Sequence, residues 1–328
     1  MSGVASERDA LRPVDGPVRP IQLPWRTRFW RALQLLVIFV AVPIGAGMLL
    51  GPQGAGFATV LGAMQVLWSS LSNGRRLTGR VLPLMLLASV LGALTTPGPL
   101  WVLLLVVLAA ASGLATLWGA GIAVSMATLL ATVVPAIGEG DQLLALIAFL
   151  CLGAGYGWLM GARFGAPNES PAAPATLRSA LTITVSLASA VGVAGAVVLL
   201  TDLSNATWAV TAVVALGIPT PGLTERLMLQ RMAGQLGASA IVVVVALMST
   251  NPIVLSLAAL VCLQLFFMSF GRPVAEQIAY LSAFFMLPAV AATSPTSLAA
   301  QNIGYNLLGV AILGLVLVVL RVVRKDRD

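Results

Sequence analysis

The chain contains no histidine, and only 9% of its 328 residues are Asp, Glu, Lys or Arg. A soluble domain carries roughly a quarter charged residues, so a water-facing surface of ordinary composition is excluded. Without histidine, the side chain most used for metal ligation and for proton transfer near neutral pH is missing. The sequence also has no HExxH, no CxxC pair, no GxxxxGK[ST] phosphate loop and no carboxylates at metal-ligand spacing. No cofactor is therefore expected, and ATP-driven transport or metal catalysis would need a partner. The two cysteines, Cys151 and Cys262, both lie inside apolar runs and read as helix-packing residues.

The chain is instead rich in hydrocarbon, with 59% hydrophobic residues and a mean hydropathy of +1.00. Its apolar runs are long enough for helices to cross a core of roughly 30 Å and lack the alternation of outer-membrane strands. The expected fold is an all-α integral membrane protein of about twelve transmembrane helices. The spans read as 33–50, 56–71, 77–96, 99–117, 119–137, 142–162, 179–200, 205–219, 227–248, 252–270, 274–291 and 299–320.

This count is tested by the charges. With a cytoplasmic amino terminus, all 18 Lys and Arg fall in the tail, the alternate connections and the far end, leaving Glu139, Asp141 and Asp202 on the other side. One span more or fewer would scatter the arginines over both faces, so the bias predicts an even count with both termini inside. The net charge of +7 is thus a topology signal, and no nucleic-acid partner is needed to explain it. The lipid bilayer is the partner the composition demands; a homo-oligomer or a membrane-protein partner is compatible with it.

Residues 1–31 are polar, proline-containing and arginine-rich, as expected of a disordered cytoplasmic tail. The Pro- and Ala-rich segment 163–178 reads as a flexible linker between halves at 32–162 and 179–320, and 321–328 forms a basic cytoplasmic end. The halves share a register: adding 151 carries Phe57 onto Trp208, Arg75 onto Arg226 and Arg80 onto Arg231. Six spans per half make the predicted repeats parallel, related by an axis along the membrane normal.

Thr207-Trp208-Ala209-Val210, Pro219 and the pattern R-x4-R-x2-G-x2-G at Arg226, Arg231, Gly234 and Gly237 resemble the fusaric acid resistance protein-like (FUSC) or aromatic acid exporter family. Plant aluminium-activated malate transporters are more distantly similar. The resemblance implies export of small organic anions, aromatic or other carboxylates, along an arginine-lined path between two six-helix units. Its matching positions are Arg75, Arg80, Arg226 and Arg231. In the first half Pro83 stands where Gly234 stands, and Gly74 where Glu225 stands.

The residues give a separate reason to expect anions. Spans 3 and 9 begin beside these arginines, where free N–H groups and the positive end of the helix dipole favour negative charge. Arginine adds a planar fork suited to a carboxylate. Arg80 is expected about a turn inside the membrane, and Gln65, Gln230 and Gln235 complete the candidate substrate-binding set. The competing reading is that the arginines reach the headgroups and only set topology. No carboxylate falls clearly at mid-depth, which raises an anion channel or uniporter beside a proton-coupled carrier. A membrane scaffold or assembly partner without flux is the third reading, and an enzyme is not expected. High Ala, Gly, Val and Arg content points to a bacterial plasma membrane.

Overall fold

The computed structural model describes residues 24–52, 54–95, 98–133, 142–164, 168–169, 173–201, 207–219, 225–270, 272–287 and 295–325. Among them there is no strand, and twelve helical segments follow one another. These are α1 Trp25–Leu50, α2 Ala55–Asn73, α3 Arg75–Thr95, α4 Pro99–Ala115, α5 Gly121–Val133 and α6 Leu143–Arg163. The series continues with α7 Leu177–Leu200, α8 Thr207–Gly217, α9 Glu225–Met248, α10 Pro252–Met268, α11 Val274–Met286 and α12 Pro295–Lys325. Seven helices, α1 to α4, α6, α7 and α9, are long and apolar enough over their described residues to cross a membrane; apolar stretches of α5, α10, α11 and α12 are shorter. The all-helical, membrane-embedded character expected from composition is thus met. Residues 1–23 of the expected tail and residues 165–167 and 170–172 of the expected 163–178 linker lie outside the described residues, whereas residues 25–31, expected in the tail, form the start of α1.

Local chemistry sets where the helices start and stop. Pro99 and Pro252 occupy first-turn positions, where a missing N–H costs nothing. The Asn251 side chain accepts from the Ile253 N–H at 2.9 Å, and Thr176 accepts from the Ser179 N–H at 3.3 Å, capping α10 and α7. At Gly74 (φ 83°) the chain reverses from α2 into α3, and at Gly119 (φ 67°) a 3₁₀ turn, Thr116–Trp118, closes α4. Both turns use a conformation that side chains with a Cβ disfavour.

Helix α1 contains one π-helical turn, Val37–Ala41. The wider turn is tied down from α6, whose Tyr156 hydroxyl donates to the Ile38 carbonyl at 2.8 Å.

The tightest pairing is α2 against α6. A Cβ on Gly153 would lie 2.0 Å from the Thr59 carbonyl oxygen, one on Gly157 2.4 Å from that of Ala63, and one on Gly62 2.2 Å from that of Leu150. Small residues bring the two backbones into contact, the usual source of cohesion where lipid removes any hydrophobic gain from helix pairing. The Gly153-x3-Gly157 spacing therefore means close packing.

Pairings recur between the halves. Within the first, α1 packs on α2, α2 on α6, α3 on α5 and α4 on α5; within the second, α7 packs on α8, α8 on α12, α9 on α11 and α10 on α11. Across the halves the first helix of each lies on the fourth of the other, α1 on α10 and α7 on α4. Two apolar cores result, each built from both halves. One joins α2 to α6 with α7, α8 and α12, and the other joins α1 and α2 with α9, α10 and α11.

Candidate functional site

Helix α8 is short because of its sequence. Pro219 has no N–H and disfavours helical geometry at Ile218, so the helix stops at Gly217. The stop is internal: Leu216 is 2% exposed and Pro219 is buried. Ala215 would have bonded the amide nitrogen of Pro219, which carries no hydrogen, and its carbonyl is left open inside an apolar body.

Arg231 reaches these carbonyls from the second turn of α9. Its Nη1 donates to Leu216 O, to Ile218 O at 3.3 Å and, at 3.4 Å, to Ala215 O; Nη2 also donates to Ile218 O at 3.3 Å. The side chain is 5% exposed. A cation at the negative end of a helix is favourably placed, and burial strengthens each of these bonds.

Beside this interruption lies a small recess of about 10 Å³, room for about one water molecule. It is bounded by Ala109 and Ser112 of α4, Ser125 and Thr128 of α5, Leu187 and Val191 of α7, and Val214 of α8. Val214 adjoins the residues whose carbonyls hold Arg231. A Cβ on Gly121, at the start of α5, would stand 3.1 Å from the Pro219 ring and 3.3 Å from the Ser112 carbonyl oxygen. The recess and the interrupted helix are therefore neighbours at the junction of the halves. The Ser112 hydroxyl donates to Ala109 O at 2.8 Å, whereas the Ser125 hydroxyl, in a residue 2% exposed, has no partner among the described residues. A buried hydroxyl without a partner is costly and uncommon in folded proteins.

The other arginines are placed differently. Arg80, matched to Arg231 in sequence, is exposed. Arg75 opens α3 with its guanidinium 4.2 Å from the centre of the Trp158 ring, while the Trp158 indole donates to the Arg75 carbonyl at 3.2 Å. Arg226 belongs to α9, and its side chain lies outside the described residues. Gln65, Gln230 and Gln235 are half-buried, Gln230 and Gln235 flanking Arg231 along α9. The expected convergence of arginines is thus represented among the described side chains by one inward guanidinium. Arg272 and Glu276 form an i, i+4 ion pair at 3.2 Å, with side chains 54% and 37% exposed, an arrangement worth little in stability.

Sequence reasoning missed Ser112, Ser125 and Thr128. Serine and threonine inside apolar helices usually bond back to their own helix, as Ser112 and Thr128 do, so the pattern alone gives no signal. The described residues contain no cluster of His, Cys, Asp or Glu able to hold a metal ion. Comparison of this chain with protein-family profiles, curated proteins and solved structures finds no match.

Proposed function

We propose that the protein is a carrier that moves small organic anions, aromatic or other carboxylates, across a bacterial plasma membrane. The observation that carries this reading is the interrupted helix α8, whose open end is held by the buried Arg231 beside a hydroxyl-lined recess at the junction of the halves. Helices broken by Gly or Pro at membrane depth occur where backbone groups are buried in protein or line a substrate path, and they mark binding sites in many carriers. Arg231 supplies positive charge, Ser125 an uncommitted hydroxyl, and the similarity to the FUSC family supports a carboxylate as cargo. The recurring pairings support two parallel six-helix repeats and twelve spans, and the one-sided charges support cytoplasmic termini.

At about 10 Å³ the recess is far smaller than the roughly 300–1,000 Å³ of usual small-molecule sites. An aromatic acid would enter only when α4 and α5 move relative to α7 and α8, which favours a carrier over a standing channel. The same small volume favours the rival reading of a non-transporting scaffold. Efflux of radiolabelled benzoate from proteoliposomes separates the two. Flux above empty vesicles, reduced about tenfold in Ser125→Ala with thermal stability equal to or above that of the native chain, is expected. Absence of flux for benzoate and for aliphatic carboxylates overturns the carrier reading.

A further inference from the structure

The turn between α2 and α3 carries polar groups that the transport reading leaves unused. Four buried polar atoms without a partner among the described residues fall between Ser70 and Arg75: the Ser70 hydroxyl, both amide atoms of Asn73 and Arg75 Nε. Ser70 and Asn73 are each 0% exposed. Native proteins satisfy nearly all such atoms, because a buried amide left bare loses its hydration without a replacement. Several orphans in a single turn point to a missing partner.

The orientation of the group follows from its neighbours. Ser69 shares a helix face with Asn73, one turn away, and its hydroxyl lies 3.0 Å from that of Thr78 in the first turn of α3. That face of α2 is therefore turned toward the start of α3, where the first amide N–H groups have no helical acceptor. On the outer side, Trp158 lies over Arg75, and a Cβ on Gly79 would come within 3.0 Å of its indole nitrogen. The unpartnered groups of the turn are mainly donors, namely the Asn73 amide N–H pair, the Ser70 hydroxyl and Arg75 Nε–H, and the opening N–H groups of α3 follow directly in the chain. One acceptor, Asn73 Oδ1, stands against them. The positive helix end and the Arg75 and Arg76 charges act in the same direction.

We propose that the α2–α3 turn is a binding site for a small inorganic anion of chloride size, held as a structural ligand between the last turn of α2 and the first of α3. The turn shares no residue with the recess among α4, α5, α7 and α8, so this ligand is separate from the transported solute. It accepts from the Ser70 hydroxyl and the Asn73 amide N–H, and its charge balances Arg75.

The test uses the purified full-length protein in nanodiscs, exchanged into sodium gluconate and titrated with sodium chloride at constant ionic strength. A saturable rise of about 3 °C in melting temperature is expected for the native chain, since a ligand bound only to the folded state stabilises it. Asn73→Leu should melt higher than the native chain in gluconate, because it removes an unsatisfied amide, and should not respond to chloride. Ser70→Ala should shift the midpoint of the chloride titration upward about tenfold. Equal melting of the native chain in chloride and gluconate overturns the proposal and leaves water as the occupant. A chloride response retained in Asn73→Leu overturns it equally. Neither readout depends on flux, so failure here is distinguishable from failure of the carrier reading.

Discussion

Arg231 donates to the carbonyl of Leu216, a residue 15 positions earlier at the end of a different helix. One contact thereby closes an interrupted helix and holds α9 against α8, so the residue assigned by sequence to substrate binding also has a structural task.

Replacing it should reveal both roles. Arg231→Gln is expected to destabilise the protein by about 2–4 kcal/mol, since hydrogen bonds to charged groups contribute about 1.5–3 kcal/mol each and open carbonyls would remain buried. Arg231→Lys should recover part of that loss, because an ammonium restores the charge but not the fork. Unfolding curves in nanodiscs measure the stability, and vesicle flux should fall at least tenfold in the Gln variant. Unchanged melting of Arg231→Gln would remove the capping role.

Arg80 provides the contrast. It is exposed where Arg231 is buried, so Arg80→Gln should change stability by less than about 0.5 kcal/mol. Benzoate flux should drop by no more than about twofold. A tenfold loss at unchanged stability would place Arg80 on the route.

The two registers show what the sequence can and cannot convey. The apolar runs overlap the twelve described helical segments, and seven of these have the length and hydrocarbon content that a bilayer crossing requires. The repeat register paired Arg80 with Arg231 because it compares residue types, and residue type does not reveal what a side chain finds nearby. In the first half the positions matching Ala215–Ile218 are Met64–Leu67, inside the unbroken α2, whose carbonyls stay within the helix. Pro219 corresponds to Trp68, and that one exchange decides whether a helix end is open to an arginine from the next helix. The Ser112, Ser125 and Thr128 recess depends on helices brought together from both halves, a tertiary relationship with no local trace.

Glycines along α6 differ sharply in expected tolerance. Gly153→Ala puts a methyl group on the Thr59 carbonyl and should destabilise by about 1–3 kcal/mol, as overpacking does. Gly155, two residues on, has nothing within 4 Å of its missing Cβ, and Gly155→Ala should be neutral or slightly stabilising. Thermal unfolding of the pair checks this, and equal effects would contradict the backbone contact between α2 and α6.

A disulfide between α4 and α7 tests whether those helices must part. A Cβ on Gly195 would stand 3.2 Å from the Val102 Cβ, slightly under the usual 3.5–4.5 Å of a cystine. With Cys151 and Cys262 replaced by alanine, Val102→Cys with Gly195→Cys should oxidise readily. Flux should fall at least tenfold when oxidised and return on reduction. Flux that ignores the bridge would favour a fixed pore.

The π turn at Val37–Ala41 gives α1 two directions. Its early part sends the Phe29 carbonyl to Gln264 of α10 at 3.1 Å, while its later part presses Gly47 onto Gly56 of α2. Deleting a single residue from the wide turn would yield a more regular rod, yet would swing everything before it by about 100° around the axis, the angle of one α-helical residue. Ala32 and Phe29 would lose their seats, and the amino-terminal strut would detach from the opposite half. Here an imperfection in the coil is what allows one rod to serve two neighbours.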